Sequence, residues 1–153
     1  MNRIFKMEEV IKKMTKYRKA SNEEVSFFEQ KLENYNLKQK PLEQDKAFIT
    51  FQHVAEEEGE IVGGILAYSS YYKIGYIDTL WVDEKSRQNG IGSLLLKQAE
   101  LDLHQEGCRI IQLSTFDFQG PDFYRKQGYE EFGHLYYPNA DLNEFYLKKE
   151  LLN

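Results

Sequence analysis

The chain has one cysteine, Cys108, in 153 residues, so there is no internal disulfide framework, and a reducing, cytoplasmic setting is expected. No apolar run approaches the roughly 18 residues that span a bilayer as a helix, and no membrane association is expected. Histidine is scarce: His53, His104 and His134 lie far apart, without an HxxxH pair or a cysteine partner, so no metal is expected. There are no internal repeats, low-complexity tracts or linkers. With 41% hydrophobic and 29% charged residues the chain is no disordered polyelectrolyte, and its length fits one domain around one core. Against a single tryptophan stand 11 Tyr and 10 Phe, enough to build a core and also to line a pocket with apolar bodies and polar tips.

The net charge of −5 is unevenly spread. Residues 1 to 20 carry seven basic and two acidic groups, net +5, and the remainder carries 13 basic and 23 acidic groups, net −10. Such a body repels a phosphate backbone, so no nucleic acid is expected and a cationic amine is the better-matched partner. The basic start lacks the apolar stretch of a signal peptide, and Glu8 and Glu9 suit a transit peptide poorly. Ile4, Met7, Val10, Ile11 and Met14 make it a short amphipathic helix, an extension over residues 1–14 ahead of a single domain at 15–153.

Ser21-Asn22-Glu23-Glu24 reads as a capping box opening a helix from about 22 to 35, with Val25, Phe28, Leu32 and Tyr35 at helical spacing. Between about 47 and 82, β-branched and aromatic runs broken by EEEGE and KIG predict a three-stranded antiparallel meander. The acidic run is a solvated hairpin loop, because consecutive turn residues cannot converge on one ion. A helix over 91 to 105 capped by Gly107 and a strand over 109 to 114 complete a strand, helix, strand unit. A short helix around 122 to 127 ends at Gly128, and strands at about 129 to 137 and 143 to 150 flank the turn at Pro138-Asn139-Ala140-Asp141.

The most informative stretch runs from Leu80-Trp81-Val82 through a polar loop to Arg87-Gln88-Asn89-Gly90-Ile91-Gly92-Ser93 and an apolar helix. A helix that opens on glycines offers unpaired amides and a partial positive charge to an anion that can approach without meeting a Cβ. The spacing is neither GxGxxG nor GxxxxGK[ST]. Arg87-x-x-Gly90-x-Gly92 in this setting resembles the pyrophosphate loop of the GNAT superfamily of N-acetyltransferases. Some thirty residues on, Phe123-Tyr124-Arg125-Lys126-Gln127-Gly128-Tyr129 resembles that superfamily's second acetyl-CoA motif. The resemblance extends over about residues 15 to 150, and Ser114-Thr115-Phe116-Asp117-Phe118-Gln119-Gly120-Pro121 is similar to a subgroup mostly without an assigned substrate.

The resemblance implies an α+β layered, GNAT-like acyl-CoA N-acyltransferase fold with a mixed, mostly antiparallel sheet of about six or seven strands flanked by helices. It implies acetyl-CoA as co-substrate, its diphosphate held by backbone amides of Gln88, Asn89, Gly90, Ile91, Gly92 and Ser93 together with Arg87. Trp81 and Val82 would present backbone groups to the pantetheine arm and the acetyl carbonyl, in a cleft between their strand and the one at 110 to 114. Asp117 and Gly120 depart from the family's usual Asn and Ala, and no role is assigned to Asp117. Members frequently dimerise, which makes a homodimer an expectation as well.

Attack of an amine on a thioester needs the neutral amine, and at pH 7 only about one lysine-like amine in 2,500 is neutral, a handicap of roughly 4.6 kcal/mol. Asp78 lies four residues before Val82, so strand alternation would put both on one face, and this carboxylate is either the base or a solvated strand residue. Tyr124 is the general acid by resemblance, its phenol protonating the departing thiolate. Tyr68, Tyr71, Tyr72, Tyr76, Tyr136 and Tyr137 either line an acceptor pocket for a cationic amine or are sheet-surface residues. Cys108 reads as a buried small residue. Two function classes follow: an acetyl-CoA-dependent N-acetyltransferase of a small-molecule or peptide amine, acting by direct attack in a ternary complex, or a noncatalytic acyl-CoA-binding regulatory module.

Overall fold

The computed structural model describes residues 15–152, so the helix expected over the first 14 residues lies outside the described residues. The chain divides into two units, Met1–Pro41 and Leu42–Asn153. In the first, helix α1 (Asn22–Gln39) opens on the expected capping box: the Ser21 hydroxyl accepts from the Glu24 amide at 3.3 Å, and the Glu24 carboxylate accepts from the Ser21 amide at 2.9 Å. It runs four residues past the expected end because Asn36-Leu37-Lys38-Gln39 contains no breaker. It stops at Lys40 (φ −142°, ψ 107°), the residue before Pro41, where the proline ring disfavours helical backbone.

The second unit is a six-stranded sheet. Strands β1 (Phe48–Glu57), β2 (Glu60–Ser70) and β3 (Ile74–Val82) form the expected meander. The β1–β2 hairpin turns at Glu58 (φ +49°) and Gly59 (φ +83°), the left-handed pair that a two-residue hairpin loop requires, and the acidic run is exposed there. Helix α2 (Ile91–Glu106) then carries the chain to β4 (Ile110–Phe116), which runs parallel to β3. A short helix α3 (Pro121–Lys126) precedes the hairpin of β5 (Glu130–Tyr137) and β6 (Leu142–Glu150), and the strand order is β1-β2-β3-β4-β6-β5. All neighbours other than β3 and β4 pair antiparallel, so the mixed, mostly antiparallel sheet anticipated from the sequence is present.

The core lies on one face of this sheet. Ile65 and Ala67 of β2, Ile77 of β3, Ile111 and Leu113 of β4 and Leu147 of β6 meet Leu95, Leu96, Ala99 and Leu103 along the inner side of α2. Each fully buried Leu or Ile contributes on the order of 1.5 to 3 kcal/mol. Cys108 is fully buried in the same cluster, its thiol pushed up in pKa by that burial, as expected of a small core residue. A half-buried ion pair of Lys149 with Glu100 (2.9 Å), which also accepts from the Tyr129 hydroxyl at 3.1 Å, ties β6, α2 and the second motif together.

Candidate active site

Between β3 and α2 the chain makes a 3-10 turn (Glu84–Ser86) in which the Asp83 carboxylate accepts from the Lys85 amide at 3.2 Å and the buried Ser86 hydroxyl reaches Glu57 at 3.4 Å. Arg87, Gln88, Asn89 and Gly90 follow, all exposed. Gln88 (φ +67°) and Gly90 (φ +79°) are both left-handed, and Gly90 is the N-cap of α2 with no side chain capping the first turn and no acid within it. The leading amides of α2, at Ile91, Gly92 and Ser93, therefore face outward without a side-chain acceptor, and a Cβ placed on Gly90 would meet nothing within 4 Å. Free amides at such a turn can accept an anion.

Arg87 donates through Nε to the Val82 carbonyl at 3.1 Å, which leaves its two Nη groups without a partner among the described residues. The guanidinium is thus anchored at the end of β3 while its outer nitrogens remain available to a ligand. Ser93 is linked to the second motif, accepting from the Gln127 side-chain amide at 2.9 Å. Ladder pairing between β3 and β4 is confined to Gly75↔Ile111 and Tyr76↔Gln112, near the start of both strands. Past those pairs the strands have no ladder, so the stretch of β3 leading to Trp81 and Val82 has an unpaired edge on that side, against which an extended ligand can lie.

Tyr124 is half-buried, packed against the core and edge-on to Phe123 (5.2 Å) and Tyr129 (5.7 Å). Its hydroxyl has no hydrogen-bond partner among the described residues, and burial pushes its pKa up to about 12. Relative to a thiol near 8.5, full proton transfer from such a phenol to a free thiolate lies about 5 kcal/mol uphill, so its chemistry favours donating a hydrogen bond over giving up the proton.

The alternation argument for Asp78 fails. The β2–β3 register shifts from Leu66↔Thr79 to Ala67↔Ile77, so Asp78 is the extra residue of a β-bulge. Ile77 and Leu80, three apart, both pack into the core, and the Val82 side chain lies 3.6 Å from a Cβ placed on Gly92 of α2. Val82 therefore faces α2, whereas Asp78 accepts from Thr79 at 3.1 Å on the opposite face, where it bears on Tyr68. Bulges give no pattern in a single strand's sequence, because they depend on the partner's register.

The tyrosines do not form one cluster. Tyr68 stacks on Tyr76 at 4.8 Å beside Asp78, and Tyr71 packs with Phe48 and Tyr72. Tyr136 bonds Asp141 at 3.0 Å, and Tyr137 bonds Glu144 at 2.7 Å. Asp117, left without a role above, is structural: it accepts from both the amide and the side chain of Asn143 at 3.0 Å, and the Asn143 side chain foremost lowers its pKa. His53 pairs with Asp102, His134 contacts Asn143 at 2.7 Å, and no group of three or more potential metal ligands forms among the described residues. No helix among them is long and apolar enough to cross a membrane.

The fold thus sets an uncapped, glycine-led helix beside two parallel strands whose pairing ends early. The model of the acetyltransferase (GNAT) family matches residues 11–129, and the chain belongs to that family. It is similar to the crystal structure of an acetyltransferase from Bacillus cereus ATCC 14579, at 32% identity and a TM-score of 0.81, covering 90% of this chain and 99% of that one. The fold is shared with an aminoglycoside 6'-N-acetyltransferase complexed with coenzyme A (22% identity, TM-score 0.60, 71% of this chain and 76% of that one). Over 74 residues the chain is 40% identical to the blasticidin-S acetyltransferase of Streptomyces morookaense, covering 48% of this chain and 54% of that protein. The chain spans about half the length of the curated relatives it matches.

Proposed function

We propose that the protein transfers an acetyl group from acetyl-CoA to a primary amine of a small molecule or peptide, by direct attack within a ternary complex. The observation that carries this reading is the uncapped first turn of α2, opened by left-handed Gly90 one short loop after β3, whose end has an unpaired edge. The backbone amides of Gln88, Asn89, Gly90, Ile91, Gly92 and Ser93, with the free Nη groups of Arg87, would hold the diphosphate; charge-assisted bonds of this kind contribute about 1.5 to 3 kcal/mol each. Trp81 and Val82 would offer backbone groups to the pantetheine arm and the acetyl carbonyl. Acetyl-CoA supplies the thioester that the neutral amine attacks. Tyr124 would stabilise the leaving sulfur through its phenolic hydrogen. Asp78, on the face opposite α2, would draw in the protonated amine and take up its proton, directly or through water.

The acidic main body and the stacked Tyr68–Tyr76 pair beside Asp78 support a cationic acceptor. The family match crosses from the first unit into the second, which supports residues 15–153 working as one acetyltransferase domain. Thermal shift with acetyl-CoA, followed by thiol release across polyamines, aminoglycosides, amino acids and peptide N-termini, tests the reading. Release with a subset of these amines is expected. Binding without release from any of them would favour the noncatalytic module, and no thermal shift would sink both.

A further inference from the structure

On the sheet face opposite α2, the outermost antiparallel strands bring a second carboxylate into play. Directly paired residues share a face, and Glu144 of β6 pairs with Phe116 of β4 and with Leu135 of β5, while its neighbour on the same face, Tyr146, pairs with Ser114. Ser114 and Phe116 alternate with the buried Leu113 and Thr115, which places Glu144 away from the core. The Tyr137 hydroxyl donates to Glu144 Oε2 at 2.7 Å. That bond above all, with lesser hydrogen bonds from Ser114 and Tyr146, lowers the pKa of the carboxyl.

What Glu144 lacks is a cation. Glu100 on α2 has a cation in Lys149, whereas no Lys, Arg or His among the described residues pairs with Glu144 or with Asp78. Lys148 shares the strand and face, but it lies about 13 Å further along at strand rise, and its partner is Glu150 at 3.7 Å. Neutral hydroxyls fix the Glu144 carboxylate and keep it ionised without cancelling its charge. Asp78 on β3 and Glu144 on β6 thus stand on the same face, on either side of the gap where β3 and β4 part.

We infer that Glu144, oriented by Tyr137, binds a second cationic group of the acceptor, making the acceptor class a molecule with an ammonium or guanidinium about 10 Å or more from the amine acetylated, at least two strand spacings. This inference rests on the acetyl-transfer reading above. The reacting nitrogen lies by Asp78, and the distal cation crosses β4 to Glu144.

The test is thiol release from acetyl-CoA with linear α,ω-diamines of graded length against monoamines of the same length, using the full chain. Wild type is expected to favour diamines of matching span by about tenfold or more in kcat/KM, mainly through KM. In Glu144→Gln that preference falls about tenfold, in Tyr137→Phe about threefold, and in Glu144→Asp it is partly retained; acetyl-CoA affinity by calorimetry checks that each variant is folded. Equal handling of monoamines and diamines by wild type overturns the inference even if no variant folds. So does an unchanged preference in folded Glu144→Gln. Release from no amine at all overturns the acetyl-transfer reading, and this inference with it, whereas release without a diamine preference overturns the inference alone.

Discussion

Helix α1 begins with its own side chains closing its first turn: Ser21 and Glu24 exchange hydrogen bonds with each other's amides, and the Arg18 guanidinium beside Glu24 draws that carboxyl down to about 2. Helix α2 begins at Gly90 with no side-chain cap, no acid in its first turn and a left-handed backbone that keeps the approach open. Both helices leave the same orphan amides, so the difference is one of destination. The first start is satisfied internally and is independent of any ligand. The second forgoes a cap that typically contributes about 1 kcal/mol, and those amides stay available to an anion.

The largest expected effect comes from filling the open helix start. Gly92→Asp adds a side chain at a position whose Cβ would lie 3.4 Å from the Phe123 ring, and it sets a negative charge among the amides. Acetyl-CoA affinity should fall at least about 100-fold by calorimetry; a loss under threefold would show that the uncapped turn does not bind the diphosphate. Next, Tyr124→Phe should lower kcat about 100-fold with acetyl-CoA affinity within about twofold. Because burial raises this phenol to about 12, it stays protonated at ordinary pH, so wild-type kcat should show no alkaline fall from Tyr124 near pH 10. A fall there that disappears in Tyr124→Phe would contradict the raised value.

Glu100→Gln leaves Lys149 half-buried without its counter-charge and should cost about 2 kcal/mol, read as a melting temperature lower by roughly 4 to 8 °C. Acetyl-CoA affinity should hold within about threefold, since the open turn is untouched. The smallest effect is at the closed start: Ser21→Ala should cost α1 about 1 kcal/mol of helix stability, seen by circular dichroism, with acetyl-CoA affinity unchanged. The Glu24 contribution has a definite sign with pH. A carboxyl lowered from 4.5 to about 2 stabilises fully above its unfolded value and is lost as pH falls through about 2, so α1 helicity should decline across that window and not above it.

The α1 cap was legible because Ser21 and Glu24 lie three residues apart and act on each other. The glycine loop was legible for a similar reason, since Gly90, Gly92 and the strand before them occupy one short stretch. Asp78 shows where local reading stops. Strand alternation gave it the wrong face because the bulge arises from how β3 is registered against β2, which neither strand states alone. The Glu100–Lys149–Tyr129 link was invisible because its partners lie 29 and 49 residues apart, and the Tyr137–Glu144 bond, though only seven residues long, depends on the faces that β5 and β6 present once paired.

Residue order alone determined the sequence of elements, the capped and uncapped helix starts and the family, because hydrophobic period, capping and turn chemistry act within a few residues. The tertiary structure decided the strand order, the parting of β3 and β4, the face on which Asp78 stands and the meeting of Glu100 with Lys149. Those depend on hydrogen-bond register and packing between distant segments, whose energies exist only once the chain has closed on itself.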